Sequence, residues 1–258
     1  MATHLSALDR HFTLPATRAI TLTSPLRWLA RGWQDLRANP GPSLTYGLLI
    51  TAIGWLLLSL VDTHSHFFTT LLTGFLLLAP LAASGIYELS SEREAGRPTS
   101  FLHSLRDAGR NLGQTAYIGV VLTLIAIAWE RISAILFALL YGGMVPAETP
   151  LWEAFTGQYL NFTLIWVFCG AVLAAFVFAL TAVSLPMLAD REVDSITAMM
   201  TSLRAVMENG APMLLWAMLI VAITALGLAT YLVGLIVLFP LLGHASWHAY
   251  RDLVAAED

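Results

Sequence analysis

The sequence predicts an all-α membrane protein in which six transmembrane helices form three hairpins. Of its 258 residues, 57% are hydrophobic and 12% are charged, whereas about 25% of the residues of a soluble domain are charged. Apolar runs of about 20 residues, long enough to cross a hydrocarbon core of about 30 Å, recur along the chain. We therefore expect membrane lipids, rather than water, to surround most of the polypeptide.

Six apolar runs account for the expected spans, and the last two must share a tight turn near residues 227–231. We place the runs at residues 43–61, 67–87, 114–141 and 162–188, with a final pair over residues 212–250. Residues 1–23 are expected to form a flexible cytoplasmic N-terminus, and residues 24–258 a single membrane domain.

The distribution of arginines indicates which side of the membrane each connection occupies. All 13 basic residues are arginines, and all but Arg131 lie outside the expected spans. Those arginines precede the first span, follow the last, or lie between spans two and three and between spans four and five. Because cytoplasmic connections are rich in basic residues, we expect a multi-pass protein whose N- and C-termini are both cytoplasmic.

A short amphipathic segment precedes each hairpin. The segments occupy residues 24–41, 100–113 and 194–210, and each ends in Asn followed closely by Gly. Such segments are expected to lie flat at the cytoplasmic interface as helices. The apolar stripe of the first segment contains Leu26, Leu29, Trp33 and Leu36.

The unit of interfacial helix and hairpin is expected to occur three times in parallel orientation. The approximate repeats are residues 24–90, 98–190 and 194–252, and the second span of each contains a proline near its cytoplasmic end (Pro80, Pro186 and Pro240). Repeats related by an axis along the membrane normal are a known membrane architecture. Any hairpin with a basic flank would look similar, so a chance likeness remains the alternative.

Ionisable residues occur four or eight positions after these prolines. Residues four apart lie on the same face of an α-helix. The ionisable residues are Glu88, Asp190, Asp194, His244 and His248. If the three repeats surround one axis, these residues converge at the cytoplasmic mouth and could bind zinc, iron or manganese. A structural polar cluster and a ligand or partner contact are the alternatives, and Asp194 would also suit a helix N-cap.

Glu130 and Arg131 lie side by side within the third apolar run. An ionised group near the bilayer centre costs about 2.5–3.5 kcal/mol on insertion scales, so such residues usually face protein or water. Arg131 can lower this cost by extending toward the outer surface. Two explanations remain open: an internal ion network with Asp62, Glu148 or Glu153, or a polar cavity used by a solute or proton.

Four stretches resemble a family of bacterial inner-membrane proteins known as domain of unknown function 2189. They are "LRWLARGWQDLRANPGPSLTYG", "APLAASGIYELSSEREAG", "SLPMLADREVDSITAMMTS" and "FPLLGHASWHAYRDL", together with the "WER" of the third run. The resemblance implies six helices in a bacterial inner membrane and no assigned activity. Some family members carry a cytochrome c oxidase subunit label, but the expected spans lack the deep histidines that haem and copper ligation would need.

Three functional hypotheses remain open. The leading one is a non-enzymatic scaffold or accessory subunit of a membrane assembly, a respiratory assembly being one option. It follows from the absence of nucleophile, phosphate-binding and dinucleotide-binding motifs. The second is a transporter or a lipid- or solute-binding protein whose pathway passes Arg131, and the third is the metal or haem site. A membrane-protein partner is expected and a nucleic acid is not, while the cofactor and the oligomeric state stay open.

Overall fold

The structure is a computed structural model that describes residues 14–63, 68–140 and 159–255. Within these ranges the chain forms eleven α-helices, and a short 3-10 helix at Gly109–Asn111. The helices are α1 (Ser24–Ala38), α2 (Pro40–Thr63), α3 (Phe68–Ala82), α4 (Ser84–Glu94), α5 (Phe101–Ala108), α6 (Leu112–Leu140), α7 (Leu160–Thr181), α8 (Ser184–Asp190), α9 (Ser195–Glu208), α10 (Gly210–Ala229) and α11 (Leu235–Leu253). The all-helical fold expected from the sequence is confirmed for this part of the chain.

Five helical segments of the described chain are long and apolar enough to cross a membrane. They are Pro40–Leu60, Leu71–Glu94, Phe101–Leu140, Leu160–Asp190 and Gly210–Ala229. These segments overlap the first five expected spans. Helix α11 is not among them, because polar residues fill its second half, so the sixth crossing stays a prediction.

The second and fourth expected spans are not continuous helices. Ala83 separates α3 from α4 three residues after Pro80, and residues 182–183 separate α7 from α8 just before Pro186. Pro240, by contrast, lies inside the unbroken α11. Because the prolines stand at different places relative to the breaks, counting from them does not give equivalent positions in the three hairpins.

The short helices and the end of α11 pack together into what we call the polar layer: α1, α4, α5, α8, α9 and residues 244–253 of α11. Eight of the twelve largest fully buried side chains of the described residues lie in this layer. They are Trp28, Ile86, Leu89, Leu185, Met187, Leu188, Trp247 and Tyr250. The most densely packed core therefore lies outside the most apolar parts of the spans.

Helices α2 and α11 run antiparallel in close contact. A Cβ added to Gly47 would lie 2.0 Å from a carbonyl oxygen of α11, so only glycine fits this crossing. At the polar-layer end, Ser43 contacts His244 at 2.9 Å. At the far end, the indole of Trp55 donates to the carbonyl of Tyr231 over 2.9 Å.

A tight turn at residues 230–234 joins α10 to α11, slightly later than the sequence indicated. Tyr231 and Leu232 both have positive φ, 52° and 70°, which shows how sharply the chain reverses. The hydroxyl of Thr51 donates to the carbonyl of Leu232 over 3.2 Å. Side chains of α2 thus donate hydrogen bonds to backbone carbonyls of the turn, which lipid tails could not do.

The three helices α1, α5 and α9 turn large apolar side chains outward. The exposed ones include Leu26 and Trp33 of α1, Leu102 and Leu105 of α5, and Ile196 and Met207 of α9. Small or polar residues face the rest of the fold: Gly32 and Asp35, Ser104 and Asp107, and Ala198 and Ser202. On α1, Trp28 also faces inward, and the expected apolar stripe is divided. Leu29 and Leu36 pack on the protein, whereas Leu26 and Trp33 are exposed.

Residues 16–20 are held against the C-terminal end of α11, although the sequence suggested a flexible segment through residue 23. Thr17 forms an isolated antiparallel bridge with Val254. The amide of Arg18 donates to the carbonyl of Leu253 over 2.8 Å, and the Asn209 side chain accepts from a nearby amide over 2.9 Å.

Candidate functional site

One buried carboxylate, Asp35, connects three helices of the polar layer. Its Oδ1 accepts from the guanidinium of Arg93, and its Oδ2 accepts from the hydroxyl of Ser90 over 3.0 Å. The same Oδ2 lies 2.9 Å from Nε2 of His248. Only 7% of the Asp35 side chain is exposed, and its charge is balanced mainly by Arg93. We call these residues, together with His244, the Asp35 cluster.

The hydrogen bonds around His244 fix its neutral form and its tautomer. Ser90 donates its proton to Asp35, so it must accept at 2.6 Å from Nδ1 of His244. Nε2 of His244 is then the acceptor for the Ser43 hydroxyl at 2.9 Å. Ser90 thus donates one hydrogen bond and accepts one, Ser43 donates one, and each ring nitrogen makes one, so the arrangement is complete for a neutral imidazole.

His244 lies outside the five candidate spans and is fully buried. Burial lowers its pKa from 6.5 to about 3, and the nearby His248 and Arg93 act in the same direction. The ring therefore remains uncharged at neutral pH. A buried neutral histidine with both nitrogens satisfied by hydroxyls is suited to holding helices together.

A second ion cluster joins α4, α8 and α11. Arg251 contacts Glu94 at 2.9 Å and Asp190 at 3.2 Å, and it is about one-third exposed. The hydroxyl of Tyr250 donates to Asp190 over 2.5 Å, and the indole of Trp247 donates to Glu94 over 2.9 Å. Both carboxylates therefore have partners within the protein.

The five residues predicted to converge on a metal divide among several environments. His244 and His248 reach Asp35, whereas Asp190 belongs to the cluster around Arg251. Glu88 is buried and lines a small pocket with Ser84, Asn111 and Thr115.

Asp190 and Asp194 do not share a helix face, because α8 ends at Asp190 and the next residues are extended. Its carboxylate instead caps α9, accepting from the hydroxyl of Thr197 and from backbone amides, which lowers its pKa.

The charged pair of the third span is split between two surroundings. Arg131 is exposed on α6, whereas Glu130 is half-buried and its Oε1 has no hydrogen-bond partner among the described residues. The preceding Trp129 is the residue of "WER" that packs inward, against Trp166 at 5.2 Å between ring centroids. The partners expected for the pair, Glu148 and Glu153, lie outside the described residues, as does the side chain of Asp62.

The sequence analysis missed Asp35 and three residues that adjoin Glu88: Glu92, His103 and Asp107. Glu92 and Asp107 both act electrostatically on Glu88, and His103 contacts each of them. An available signal was the spacing of Trp28, Gly32 and Asp35, which places an acid on the face that packs inward. Another was the i, i+4 relation of His103 and Asp107, which puts an imidazole beside a carboxylate.

The apolar helical segments define a polytopic integral membrane protein. Residues 67–190, just under half of the chain, match the family model described as predicted integral membrane protein (DUF2189), whose function is unknown. The resemblance is thereby confirmed for the region from α3 to α8, while α1 and α11 lie outside the match. No curated protein and no solved structure matches the chain.

Proposed function

We propose that this protein is a non-enzymatic scaffold or accessory subunit of a membrane assembly, with six crossings in three hairpins and both termini in the cytoplasm. The single observation that carries the proposal is the sparse packing of the longest span. Only 11% of the residues in the most apolar part of Phe101–Leu140 are buried within the chain. Most of that surface is left for lipid or for helices of another membrane protein.

The antiparallel course of α2 and α11 supports a sixth crossing. Helix α11 is 19 residues long, and its residues 244–253 belong to the polar layer. The helix begins beside the Trp55 end of α2 and finishes among the helices of the polar layer. The arginines of that layer favour its placement on the cytoplasmic side.

The outward apolar faces of α1, α5 and α9 support an interfacial position for these helices. Leu102 and Met207 are each 74% exposed, a costly arrangement in water and a favourable one against acyl chains. The three helices would then lie flat under the membrane, with their small residues against the protein and their large residues against lipid.

The paired state of Asp35, Asp190, Glu94 and His244 favours a structural role over catalysis. Asp35, Asp190 and Glu94 each contact a guanidinium, and His244 has both nitrogens bonded. A general base or a nucleophile would need an accessible position near substrate. A non-enzymatic function is thus the simpler inference from these contacts.

Site-specific photo-crosslinking along α6 tests the scaffold role. A crosslinking residue at Val120 or Leu124, 57% and 61% exposed, should capture a discrete protein partner in native membranes. The same probe at Leu122, 1% exposed on the same helix, is the matched control and should capture none. Purification in mild detergent should recover the captured protein with the untagged chain. Lipid adducts alone at both outward positions, with a chain that purifies by itself, would contradict the proposal.

Cysteine labelling tests the crossings and the orientation. A cysteine introduced at Ala147 should react with an impermeant reagent in intact cells, and one at Arg31 should react only after lysis. Cys169, on α7, is replaced by Ser first to remove the background. Labelling of both positions from the same side would overturn the six-crossing arrangement.

A further inference from the structure

Three side chains at the edge of the polar layer bring two carboxylates and an imidazole together. Glu92 comes from α4, and His103 and Asp107 stand one turn apart on α5. Oε1 of Glu92 contacts Nδ1 of His103, and Oδ2 of Asp107 lies 3.7 Å from Nε2 of the same ring. One ligand atom from each residue lies within 4.8 Å of the other two.

The two carboxylates are buried yet incompletely satisfied. The Glu92 side chain is 0% exposed and that of Asp107 is 7% exposed. Oε2 of Glu92 is one of four buried side-chain polar atoms without a hydrogen-bond partner among the described residues. Oδ1 of Asp107 is another of the four, and its contact is an ion pair with the exposed Arg110. The Glu92 carboxylate is aimed into the cluster, because its other oxygen contacts His103.

Acidic side chains are concentrated around this cluster. Glu92 and Asp107 both act electrostatically on the buried Glu88, so three carboxylates share one small region. The guanidiniums of Arg97 and Arg110 oppose this effect, but 68% of the Arg110 side chain, which lies 3.1 Å from Asp107, is exposed. A buried charge without a close partner is costly, and a cation among the carboxylates removes that cost.

We propose that Glu92, His103 and Asp107 bind a divalent transition-metal ion. One imidazole with two carboxylates suits zinc, manganese or iron, whereas calcium and magnesium prefer oxygen donors alone. Ligand atoms about 2.0–2.2 Å from a metal lie up to about 4.4 Å apart, so small side-chain rotations close the site.

The site differs from the metal cluster predicted from the sequence, in which His244 and His248 were the imidazole ligands. Both nitrogens of His244 are already bonded to serines, which leaves no lone pair for an ion. His103, in contrast, is 49% exposed, so an ion can enter from solvent and retain water in an open position. The inference is independent of the proposed scaffold role.

Direct metal binding tests the proposal with the full-length protein in mild detergent. After a chelator has been removed, the wild-type chain is dialysed against micromolar ZnCl₂ or MnCl₂ and the bound ion is counted by elemental analysis. We expect one ion per chain and a higher Tm with zinc than without. Glu92→Gln and His103→Gln should weaken binding at least about tenfold, since ligand changes cost no less than changes in outer-shell partners.

Glu208→Gln is the matched control, because Glu208 is an exposed acid on α9, far along the chain from the site. It should bind zinc like the wild type. Circular dichroism without metal checks that each variant is folded. If a variant is not folded, the number of ions bound per wild-type chain still tests the proposal. The proposal is overturned by a folded wild-type chain that retains no ion. It is also overturned by equal binding in Glu92→Gln, or by binding that disappears in His244→Gln alone.

Discussion

The polar layer and the spans of this protein are held together by different forces. In the polar layer, Trp28, Trp247 and Tyr250 are fully buried beside hydrogen-bonded and ion-paired groups. In the five candidate spans, between 11% and 33% of the residues in the most apolar part of each are buried. The structure therefore concentrates its specific contacts where water is near and leaves its apolar helices loosely joined.

The difference follows from what surrounds each region. Lipid tails are as apolar as leucine, so burying leucine between spans gains little, and close packing depends on small residues such as Gly47. The polar layer can use the hydrophobic effect as well as directional hydrogen bonds. We therefore expect the largest single loss in the polar layer and the smallest between two spans, and the following four predictions compare the two regions.

The largest effect is expected at Asp35. Asp35→Ala leaves Arg93, Ser90 and His248 without their shared acceptor, and removing one partner of a buried ion pair costs about 3–5 kcal/mol. Urea unfolding in detergent, followed by tryptophan fluorescence, measures the change. Glu208→Gln removes a charge from an exposed pair with Arg204 but keeps an oxygen that can accept from the Thr17 hydroxyl, so it should give no resolvable change. Similar losses in both variants would contradict a special role for the polar layer.

A smaller loss is expected where two spans touch through backbone. Gly47→Ala forces a methyl group against the α11 backbone, and such overpacking typically costs about 1–3 kcal/mol. Gly41→Ala lies on the same helix with nothing within 4 Å of the added carbon, so its stability should be unchanged or slightly higher. The same unfolding assay compares them, and equal stability of the two variants would show that α2 and α11 separate freely.

The third effect is a pH dependence that belongs to His244. Its folded-state pKa is about 3 against 6.5 unfolded, so the unfolded state binds more protons between these values. Stability should therefore be fully present above pH 6.5 and decrease as the pH falls toward 3, by up to about 1.4 kcal/mol per pH unit from this group. In His244→Gln that component is absent, so the difference between wild type and variant should shrink on acidification. Parallel pH profiles of unfolding would contradict the assignment.

The smallest effect is expected between α6 and α7. Trp166→Phe removes an indole donor that reaches the Ser133 hydroxyl over 2.9 Å, which costs about 0.5–1.5 kcal/mol. Phe168→Leu, at a position 68% exposed on the same helix, should leave stability unchanged and serves as the control. A loss in Trp166→Phe as large as that in Asp35→Ala would remove the contrast between the two regions.

The positions of the spans were predictable because the hydropathy of a segment is an average over its own residues and does not depend on tertiary contacts. Helices α2, α6 and α10 overlap the expected positions closely. The breaks at Ala83 and at residues 182–183 were not predictable from Pro80 and Pro186, because the bend depends on how the following short helix packs. Local sequence fixes where a helix is possible, and tertiary contacts decide where it ends.

The contacts of the candidate site were much harder to predict. His244 and His248 were singled out, but their partner Asp35 is more than 200 residues distant, among arginines that suggested a solvated face. For α1 the sequence predicted an amphipathic helix at the membrane interface, but not that Trp28 and Asp35 would form its inward face. That face depends on contacts with α4 and α11, which are distant in the chain.

The position of α11 has a consequence for how the protein is made. His248 bonds to Asp35 across 213 residues of chain, so the first hairpin leaves the ribosome long before its main partner helix exists. At about 5–20 residues per second, that interval lasts about 10–40 seconds. During this time neither Asp35 nor Gly47 has its partner on α11, so the packing of the first hairpin is completed only after the last helix has been made.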